Sequence, residues 1–289
     1  MSFRSFEEIL ERCEEQDKPF WRVILEDDME ERLVSEEESF AKMTHLYMSM
    51  KEADATYDKE LTSASGLIGG DGERMSRALN EGNVLGGPFI GEVMSKALKM
   101  GESNACMKKI VAAPTGGACG VIPAVLLTYE ENYDASLQLM IEAMYVAAGV
   151  GQVIASRAFI SGAAGGCQAE IGSASAMAAG ALTYLNGGDG QSIAHSAAMS
   201  LKNLMGLVCD TVAGLVEVPC VKRNVGGAVI AIASSDMAVA GIRSQIPPDE
   251  VIDAMREVGE SLPRTLRETG EGGLAATPTG KEIKNQLMR

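Results

Sequence analysis

Residues 171–185 have the sequence IGSASAMAAGALTYL, and this stretch decides the class of fold. It has the length of a helix, shows no alternation of apolar and polar residues, and is rich in Ala, Gly and Ser. Similar length and composition occur in three further stretches, residues 140–159, 193–208 and 228–242. Helices that are apolar on nearly every side are buried helices. The sequence therefore predicts an all-α fold whose central helices are wrapped by others.

The amino-acid composition indicates how such helices pack. Hydrophobic residues make up 46% of the 289 residues and charged residues 22%, but aromatic residues only 4%. The chain has 32 Gly and 17 Met, so small side chains that let helices approach closely, with flexible Met as filler, are expected to form the core. Amphipathic helices are expected to wrap these Ala-, Gly- and Met-rich helices, and the Gly-rich loops between them are expected to form the functional site.

The first 60 residues differ from the rest of the chain. Much of the acidic excess lies there, for example in the Glu run at residues 36–38. Ser5 before Glu8 and Ser35 before Glu38 are capping-box patterns, which predict that helices begin at both points. Residues 1–60 are therefore predicted to form an acidic helical N-terminal extension. Residues 61–289, which contain no evident linker, are predicted to form one compact domain.

The net charge of −15, from 40 Asp and Glu against 25 Lys and Arg, excludes several classes of partner. A nucleic-acid-binding protein needs cations to neutralise phosphates, so no nucleic-acid partner is expected. The acidic excess also disfavours an anionic membrane surface. Residues 110–129 are uncharged but contain several Gly and Pro, which predicts a loop that enters a helix rather than a membrane span. The acidic first residues lack the apolar segment of a signal peptide, which predicts a cytoplasmic protein.

Three of the six cysteines lie in Gly- or Pro-marked surroundings in the second half of the chain: Cys167, Cys209 and Cys220. In a cytoplasmic protein they are expected to be reduced rather than paired in disulfides. No two cysteines are separated by two residues, which argues against a structural zinc site and a ferredoxin site. The spacing alone leaves two interpretations open, buried structural thiols and metal ligands.

Three segments resemble the α chain of iron–sulfur-dependent L-serine dehydratases: residues 65–71 (SGLIGGD), residues 113–120 (APTGGACG) and residues 195–224, which run from HSAAMSLKN to CVKRN. The resemblance covers most of the chain from about residue 60. It implies a catalytic domain and a lyase that converts L-serine to pyruvate and ammonia, in amino-acid catabolism and gluconeogenesis. It also implies a 4Fe-4S cluster on Cys167, Cys209 and Cys220, whose open iron acts as a Lewis acid on the serine hydroxyl.

The resemblance further implies contacts to the substrate and to a partner chain. Gly-rich loops of this family bring backbone amides and hydroxyls to the amino acid, so Ser65, Asp71, Thr115 and Cys119 are candidate substrate-binding residues. His195 is a candidate catalytic residue. The family's β subunit is expected to complete the active site, which predicts a hetero-oligomer. The general base can therefore belong to either chain.

Three alternatives stay open at this point. Residues 200–202 (SLK) resemble the Ser-x-Lys of pyridoxal-phosphate lyases, although those enzymes contain buried parallel strands, for which this chain offers few candidates. A cysteine desulfidase could use the same cluster to eliminate sulfide. A non-catalytic helical subunit could simply bury its cysteines. Because residues 280–289 contain no cysteine, a terminal thiol that caps the cluster is not expected from this chain.

Overall fold

The computed structural model describes residues 3–288, which fold into α-helices and contain no β-strand. The thirteen α-helices of this part are α1 (Phe6–Gln16), α2 (Phe20–Arg32), α3 (Glu36–Ala55), α4 (Asp71–Asn80), α5 (Gly87–Ala105), α6 (Val121–Tyr133), α7 (Leu137–Arg157), α8 (Gly162–Gly165), α9 (Ser173–Leu185), α10 (Gly190–Leu204), α11 (Cys220–Val239), α12 (Pro248–Ser261) and α13 (Pro278–Leu287). The predicted all-α class is confirmed.

Helix α9 lies at the centre, where it contacts α6, α7, α10 and α11. Almost all of its side chains are buried. Glycine lets α7 and α9 approach each other closely, because a Cβ added to Gly180 of α9 would lie 2.9 Å from Val150 Cγ2 of α7. A Cβ added to Gly151 would likewise lie 2.9 Å from the Met177 methyl carbon. The small residues that predicted buried helices therefore set the distance between α7 and α9.

Hydroxyl groups in this core bond to one another and to the backbone. Ser200 Oγ of α10 donates to Ser175 Oγ of α9 at 2.7 Å, and Ser175 Oγ donates to the Gly227 carbonyl of α11 at 2.6 Å. Each hydroxyl thereby avoids the cost of a buried polar group without a partner. This chain of hydrogen bonds joins the three central helices.

The acidic N-terminal helices pack onto the central ones through their apolar faces. Ser35 and Glu38 form the predicted capping box of α3, and Ser5 caps α1 by accepting from the Glu8 amide. Tyr47 of α3 is fully buried and belongs to the same apolar cluster as the central helices. The division of the chain near residue 60 stays a prediction.

Helix α7 is the one helix among residues 3–288 that is long and apolar enough to cross a membrane. In this fold 61% of its apolar window is buried, and it packs against α2 and α9. Its apolar surface therefore serves the core here. Residues 110–120 form the predicted loop and lead into α6, whose side chains are buried as far as Tyr129.

The predicted extents of two helices are shifted, and one helix was missed. Helix α10 spans Gly190–Leu204 rather than residues 193–208. Helix α11 begins at Cys220 rather than near residue 228. The apolar pattern missed its first turns because they carry Lys222, Arg223 and Asn224, whose side chains bond to neighbouring segments. Helix α13 was not predicted; its signal is Thr277, which caps the helix by accepting from the Gly280 amide, followed by Pro278 at the first helical position.

Candidate active site

Three separate segments bring Cys167, Cys209 and Cys220 together inside the protein. Cys167 precedes a π-helical turn at Gln168–Gly172, Cys209 lies in an extended stretch after α10, and Cys220 is the first residue of α11. The three side chains are 1%, 1% and 3% exposed. Cys167 lies close enough to raise the pKa of both Cys209 and Cys220, and Cys209 close enough to raise that of Cys220. The structure thus groups the cysteines that were predicted to act together.

Backbone contacts fix how the first two cysteine segments meet. The Gln168 amide donates to the Leu207 carbonyl at 2.8 Å, and the Gln168 side chain accepts from the Gly206 amide at 2.8 Å. The residue before Cys167 must be glycine, because Gly166 has a φ of 78° and an added Cβ would lie 2.6 Å from Leu262 Cδ1. A π-helical turn at this point is typical of functional sites.

A fourth segment, the C-terminal stretch that follows α12, also borders the cysteine group. It pairs with Cys209 through backbone hydrogen bonds: the Cys209 amide donates to the Leu266 carbonyl at 2.9 Å, and the Glu268 amide donates to the Cys209 carbonyl at 2.8 Å. An isolated parallel bridge joins Cys209 to Arg267. Residue 268 adopts the left-handed conformation, with a φ of 61°. The chain after α12 therefore closes over one side of the cysteine group.

The three thiols are held in surroundings that oppose their ionisation. Burial raises the pKa of Cys167 to about 11, against the opposing effect of the Arg223 charge. Burial and the neighbouring Cys167 raise the pKa of Cys209 to about 12, and burial, Cys167 and Glu170 raise that of Cys220 further. Thiols of this kind are unreactive as free nucleophiles, whereas a bound metal deprotonates a coordinating thiol.

The three thiols are the candidate metal ligands of this site. Among residues 3–288, no three His, Cys, Asp or Glu side chains converge on a point that could hold one metal ion. Cysteine thiolates are the ligands that hold iron–sulfur clusters, and here three buried thiols from three segments lie near the Arg223 cation.

A buried carboxylate, Glu170, lies beside the cysteine group. It is 8% exposed and accepts a short hydrogen bond from the Thr115 hydroxyl as well as a backbone hydrogen bond from Gly117. Burial raises the pKa of Glu170; the Thr115 hydrogen bond opposes this rise and the nearby Glu268 charge adds to it. The structure therefore brings the predicted residue Thr115 next to a titratable group at the cysteine site.

Cys119 lies in the same loop but points into the core. It is buried, its thiol donates weakly to the Met100 carbonyl at 3.8 Å, and burial raises its pKa to about 12. The neighbouring Gly120 amide donates to the Asn224 side chain at 2.8 Å. Asn224 belongs to α11, one turn after Cys220, so the loop at residues 113–120 is anchored to a helix that carries a cysteine.

Ser65 and Asp71 are anchored on either side of Cys220. The Ser65 hydroxyl donates a short hydrogen bond to Glu217, three residues before Cys220. Asp71 accepts from Lys222 Nζ at 2.9 Å, two residues after Cys220. Burial acts to raise the pKa of Asp71, but its ion pairs, with Lys222 foremost, outweigh burial and lower it. Both candidates therefore lie on a loop fastened to the Cys220 segment.

His195 lies in different surroundings. Its Nδ1 accepts from the Ser244 amide at 3.2 Å, and its pKa is lowered by burial and then by the Arg243 and Lys202 charges. The charges that act on the three thiols come from one another, Glu170, Glu268 and Arg223. The structure does not bring His195 into that group.

Three residues of the site were not predicted from the sequence: Glu170, Arg223 and Glu268. Glu170 follows Cys167 by three residues and Arg223 follows Cys220 by three, a spacing that places side chains on the same face of a helical turn. That spacing could have predicted from the sequence that both residues lie near the cysteines. No such spacing exists for Glu268, since it reaches the site through pairing of residues far apart in the chain.

The fold and the cysteine group together define an all-helical enzyme chain with a three-thiol site. The serine dehydratase alpha chain family matches residues 15–275, and the chain belongs to this family. It is 46% identical over 286 residues to a "Probable L-serine dehydratase, alpha chain" of Bacillus subtilis, covering 99% of this chain and 95% of that one. It is 40% identical to an "L-serine dehydratase, alpha chain" of Peptoniphilus asaccharolyticus, covering 98% and 97% of the two chains.

Longer relatives match over part of their length. An L-serine dehydratase of Escherichia coli is 41% identical over 181 residues, which is 62% of this chain and 40% of that protein. The family is one of lyases, which confirms the predicted enzyme class. The pyridoxal-phosphate alternative loses its basis, because residues 3–288 form no sheet and Lys202 is an exposed residue that donates to Ser244 Oγ at 3.0 Å.

Proposed function

We propose that this chain is the α subunit of an L-serine dehydratase that holds a 4Fe-4S cluster on Cys167, Cys209 and Cys220. The observation that carries the proposal is the group of three buried thiols in a chain of the serine dehydratase alpha chain family. The reaction removes a proton from Cα and hydroxide from Cβ of L-serine. The resulting enamine tautomerises to an imine, which water hydrolyses to pyruvate and ammonia.

The cluster and the protein have separate tasks in this reaction. When bound, the cluster supplies an iron without a protein thiolate, a Lewis acid that makes hydroxide a better leaving group. The three cysteines hold it through segments that hydrogen bonds tie to one another. Reduced thiols of this kind suit a protein of the cytoplasm, which we propose as its location.

Glu170 is the proposed acid–base group on this chain. Thr115 donates to Glu170 Oε1, which leaves Oε2 able to hold or accept a proton. A carboxyl whose pKa is raised by burial is a stronger base than an ordinary glutamate and is better suited to carry a proton near neutral pH. This assignment puts the group that moves the proton beside the cysteines, whereas His195 bonds to Ser244.

Two anchored loops are proposed to position the substrate and exclude water. Residues 63–71 are tied to Glu217 and Lys222, and residues 113–120 to Glu170 and Asn224. Fixed loops around the reacting atoms lower the entropy cost of orienting L-serine. Because the relatives are named as α chains, a β chain is proposed to cover the remaining side of the site and to form a hetero-oligomer with this chain.

The proposal is tested by anaerobic reconstitution. The chain is loaded with ferrous iron and sulfide, with and without the co-purified β chain, and pyruvate release is followed with L-serine, L-cysteine or D-serine as substrate. Activity with L-serine that requires the cluster, and that β increases strongly, supports the proposal. Faster turnover of L-cysteine would identify a desulfidase instead, and loaded protein inactive on all three substrates in the presence of β would contradict the proposal.

Glu170→Gln and Glu142→Gln form a matched pair for the acid–base assignment. Glu142 is a carboxylate of α7 that accepts from the Tyr184 hydroxyl at 2.5 Å and has no contact with the three thiols. Loss of one general acid–base group lowers rates by about 10²–10⁴-fold. We expect a loss of kcat in this range for Glu170→Gln and none for Glu142→Gln, with equal iron content in both. Full activity in Glu170→Gln would contradict the assignment of Glu170 and would indicate that the general base belongs to the β chain.

A further inference from the structure

Arg223 is a cation set against the cysteine group by two hydrogen bonds. It belongs to α11, three residues after Cys220, and its side chain is 17% exposed. Nη1 donates to the Val208 carbonyl at 2.7 Å, and Nη2 donates to Asp210 Oδ1 at 2.8 Å. These acceptors flank Cys209 on both sides. The guanidinium thus links two of the three cysteine segments.

The same guanidinium reaches the third cysteine. The Arg223 guanidinium lies close enough to Cys167 for its charge to lower the pKa of that thiol, and the same charge acts in this direction on Cys209 and Cys220. The other ionisable groups that face the thiols, Glu170 and Glu268, are carboxylates. Arg223 therefore supplies the positive charge in surroundings that are otherwise acidic.

Asp210 holds this cation in place. The Asp210 side chain is 6% exposed, and while Oδ1 accepts from Arg223, Oδ2 accepts from the Leu274 amide at 2.9 Å. Gly273 packs directly on the carboxylate, since an added Cβ would lie 2.5 Å from Asp210 Oδ2. The guanidinium cannot turn away from the thiols without breaking the ion pair that the C-terminal segment supports.

We propose that Arg223 is a positioning residue for the iron–sulfur cluster, one that stabilises the cluster-bound state of the three cysteines through its charge and through the hydrogen bonds that fix it beside Cys209. This inference rests on the proposed function. A cluster held by three thiolates is negatively charged, and hydrogen bonds to the sulfurs together with nearby charge set its reduction potential. A fixed cation beside the three cysteines favours the reduced cluster and opposes its oxidative loss.

The test compares Arg223→Gln, Arg223→Lys and the wild-type chain after anaerobic reconstitution. Three quantities are measured: the iron content per chain, the midpoint potential for reduction of the cluster, and the rate at which visible absorbance is lost in air. Electron paramagnetic resonance of the reduced form follows the redox titration. Partners of metal ligands typically contribute about 10–100-fold to metal affinity. Arg223→Gln is expected to bleach about tenfold faster and to have a more negative potential. Arg223→Lys, which keeps the charge but loses the planar fork, is expected to lie between the two.

Each result decides a different question. A wild-type chain that takes up no iron would overturn the proposed function and this inference with it. Wild-type loading together with an unchanged potential and bleaching rate in Arg223→Gln would overturn this inference alone. If circular dichroism shows that Arg223→Gln is unfolded, the inference is tested on Arg223→Lys instead. A lysine variant with the potential and bleaching rate of the wild type would contradict a role for the guanidinium hydrogen bonds.

Discussion

The Asn224 side-chain amide donates a hydrogen bond of 2.8 Å to the Gly117 carbonyl, and Asn224 Oδ1 accepts a hydrogen bond of 2.8 Å from the Gly120 amide. Asn224 Nδ2 also donates to the Cys220 carbonyl at 3.0 Å. One buried side chain therefore satisfies polar groups of the loop at residues 113–120 and of the first turn of α11, which begins at Cys220.

Replacing this residue is expected to destabilise the fold. Asn224→Ala leaves the buried Gly120 amide without its acceptor and the Gly117 carbonyl without its donor, which should lower the free energy of unfolding by about 2–3 kcal/mol. Urea denaturation of the apo chain measures the change. Asn203→Ala is the matched control, because Asn203 is exposed and bonds only to the Met199 carbonyl of its own helix. Equal effects of the two substitutions would contradict the anchoring role of Asn224.

Two adjacent glycines of α11 give a second test, of the core. A Cβ at Gly227 would lie 2.8 Å from Ile171 Cγ2, whereas nothing lies within 4 Å of one at Gly226. Gly227→Ala is expected to destabilise the protein by about 1–3 kcal/mol through overpacking. Gly226→Ala is expected to stabilise it by up to about 1 kcal/mol, because alanine favours a helix. Thermal unfolding of both variants checks the contrast, and a stabilised Gly227→Ala would show that the helices can move apart.

His195 gives a prediction of pH dependence. Its pKa in the folded chain is lowered by burial and by Arg243 and Lys202, so the unfolded chain binds a proton more readily. The contribution of neutral His195 to stability is therefore present above its unfolded pKa of about 6.5 and is lost as the pH falls below it. His195→Asn, which keeps an acceptor for the Ser244 amide, is expected to make stability fall less steeply between pH 7 and pH 5.

The measurement is the free energy of unfolding from urea titrations at several pH values. His45→Asn is the control, since His45 is exposed on α3 and the comparison removes one histidine in each case. An identical pH slope in His195→Asn and the wild type would show that burial of His195 does not oppose its protonation.

Thr115 gives a prediction about the pH profile of catalysis. Its hydrogen bond lowers the pKa of Glu170 against the effect of burial, so Thr115→Val should raise that pKa. If ionised Glu170 is the base, the acidic limb of kcat/KM moves to higher pH in Thr115→Val. Thr115→Ser, which keeps the hydroxyl, should leave the limb where it is. A limb that does not move in Thr115→Val would separate Thr115 from the titrating group.

The sequence predicted the parts of this molecule that depend on local pattern or on a distinctive motif. Helix α9 follows from its small residues, and the capping box of α3 follows from Ser35 and Glu38. The family-like motif at residues 113–120 singled out Thr115, which the structure places beside Glu170, and its contact with substrate stays a prediction. These features are encoded by residues that are neighbours in the chain.

What could not be predicted depends on contacts between residues far apart in the chain. Glu268 reaches the site because its segment pairs with Cys209, and no periodicity in the sequence reports that pairing. Asp210 bonds both to Arg223 and to the Leu274 amide, a contact between residues 64 positions apart in the chain. The assignment of His195 rested on a motif, and the motif gave no indication that its imidazole bonds to Ser244. Such contacts are set by tertiary packing.

The most direct test of the account is the iron and sulfide content of single cysteine variants after anaerobic reconstitution. Cys167→Ala, Cys209→Ala and Cys220→Ala are each expected to lose the visible absorbance of a 4Fe-4S cluster and most of the iron, whereas Cys13→Ala and Cys119→Ala keep both. Circular dichroism of the apo proteins establishes that the variants fold. Loss in the first three variants alone is the predicted result; wild-type iron and sulfide in any one of them would contradict the three-cysteine site.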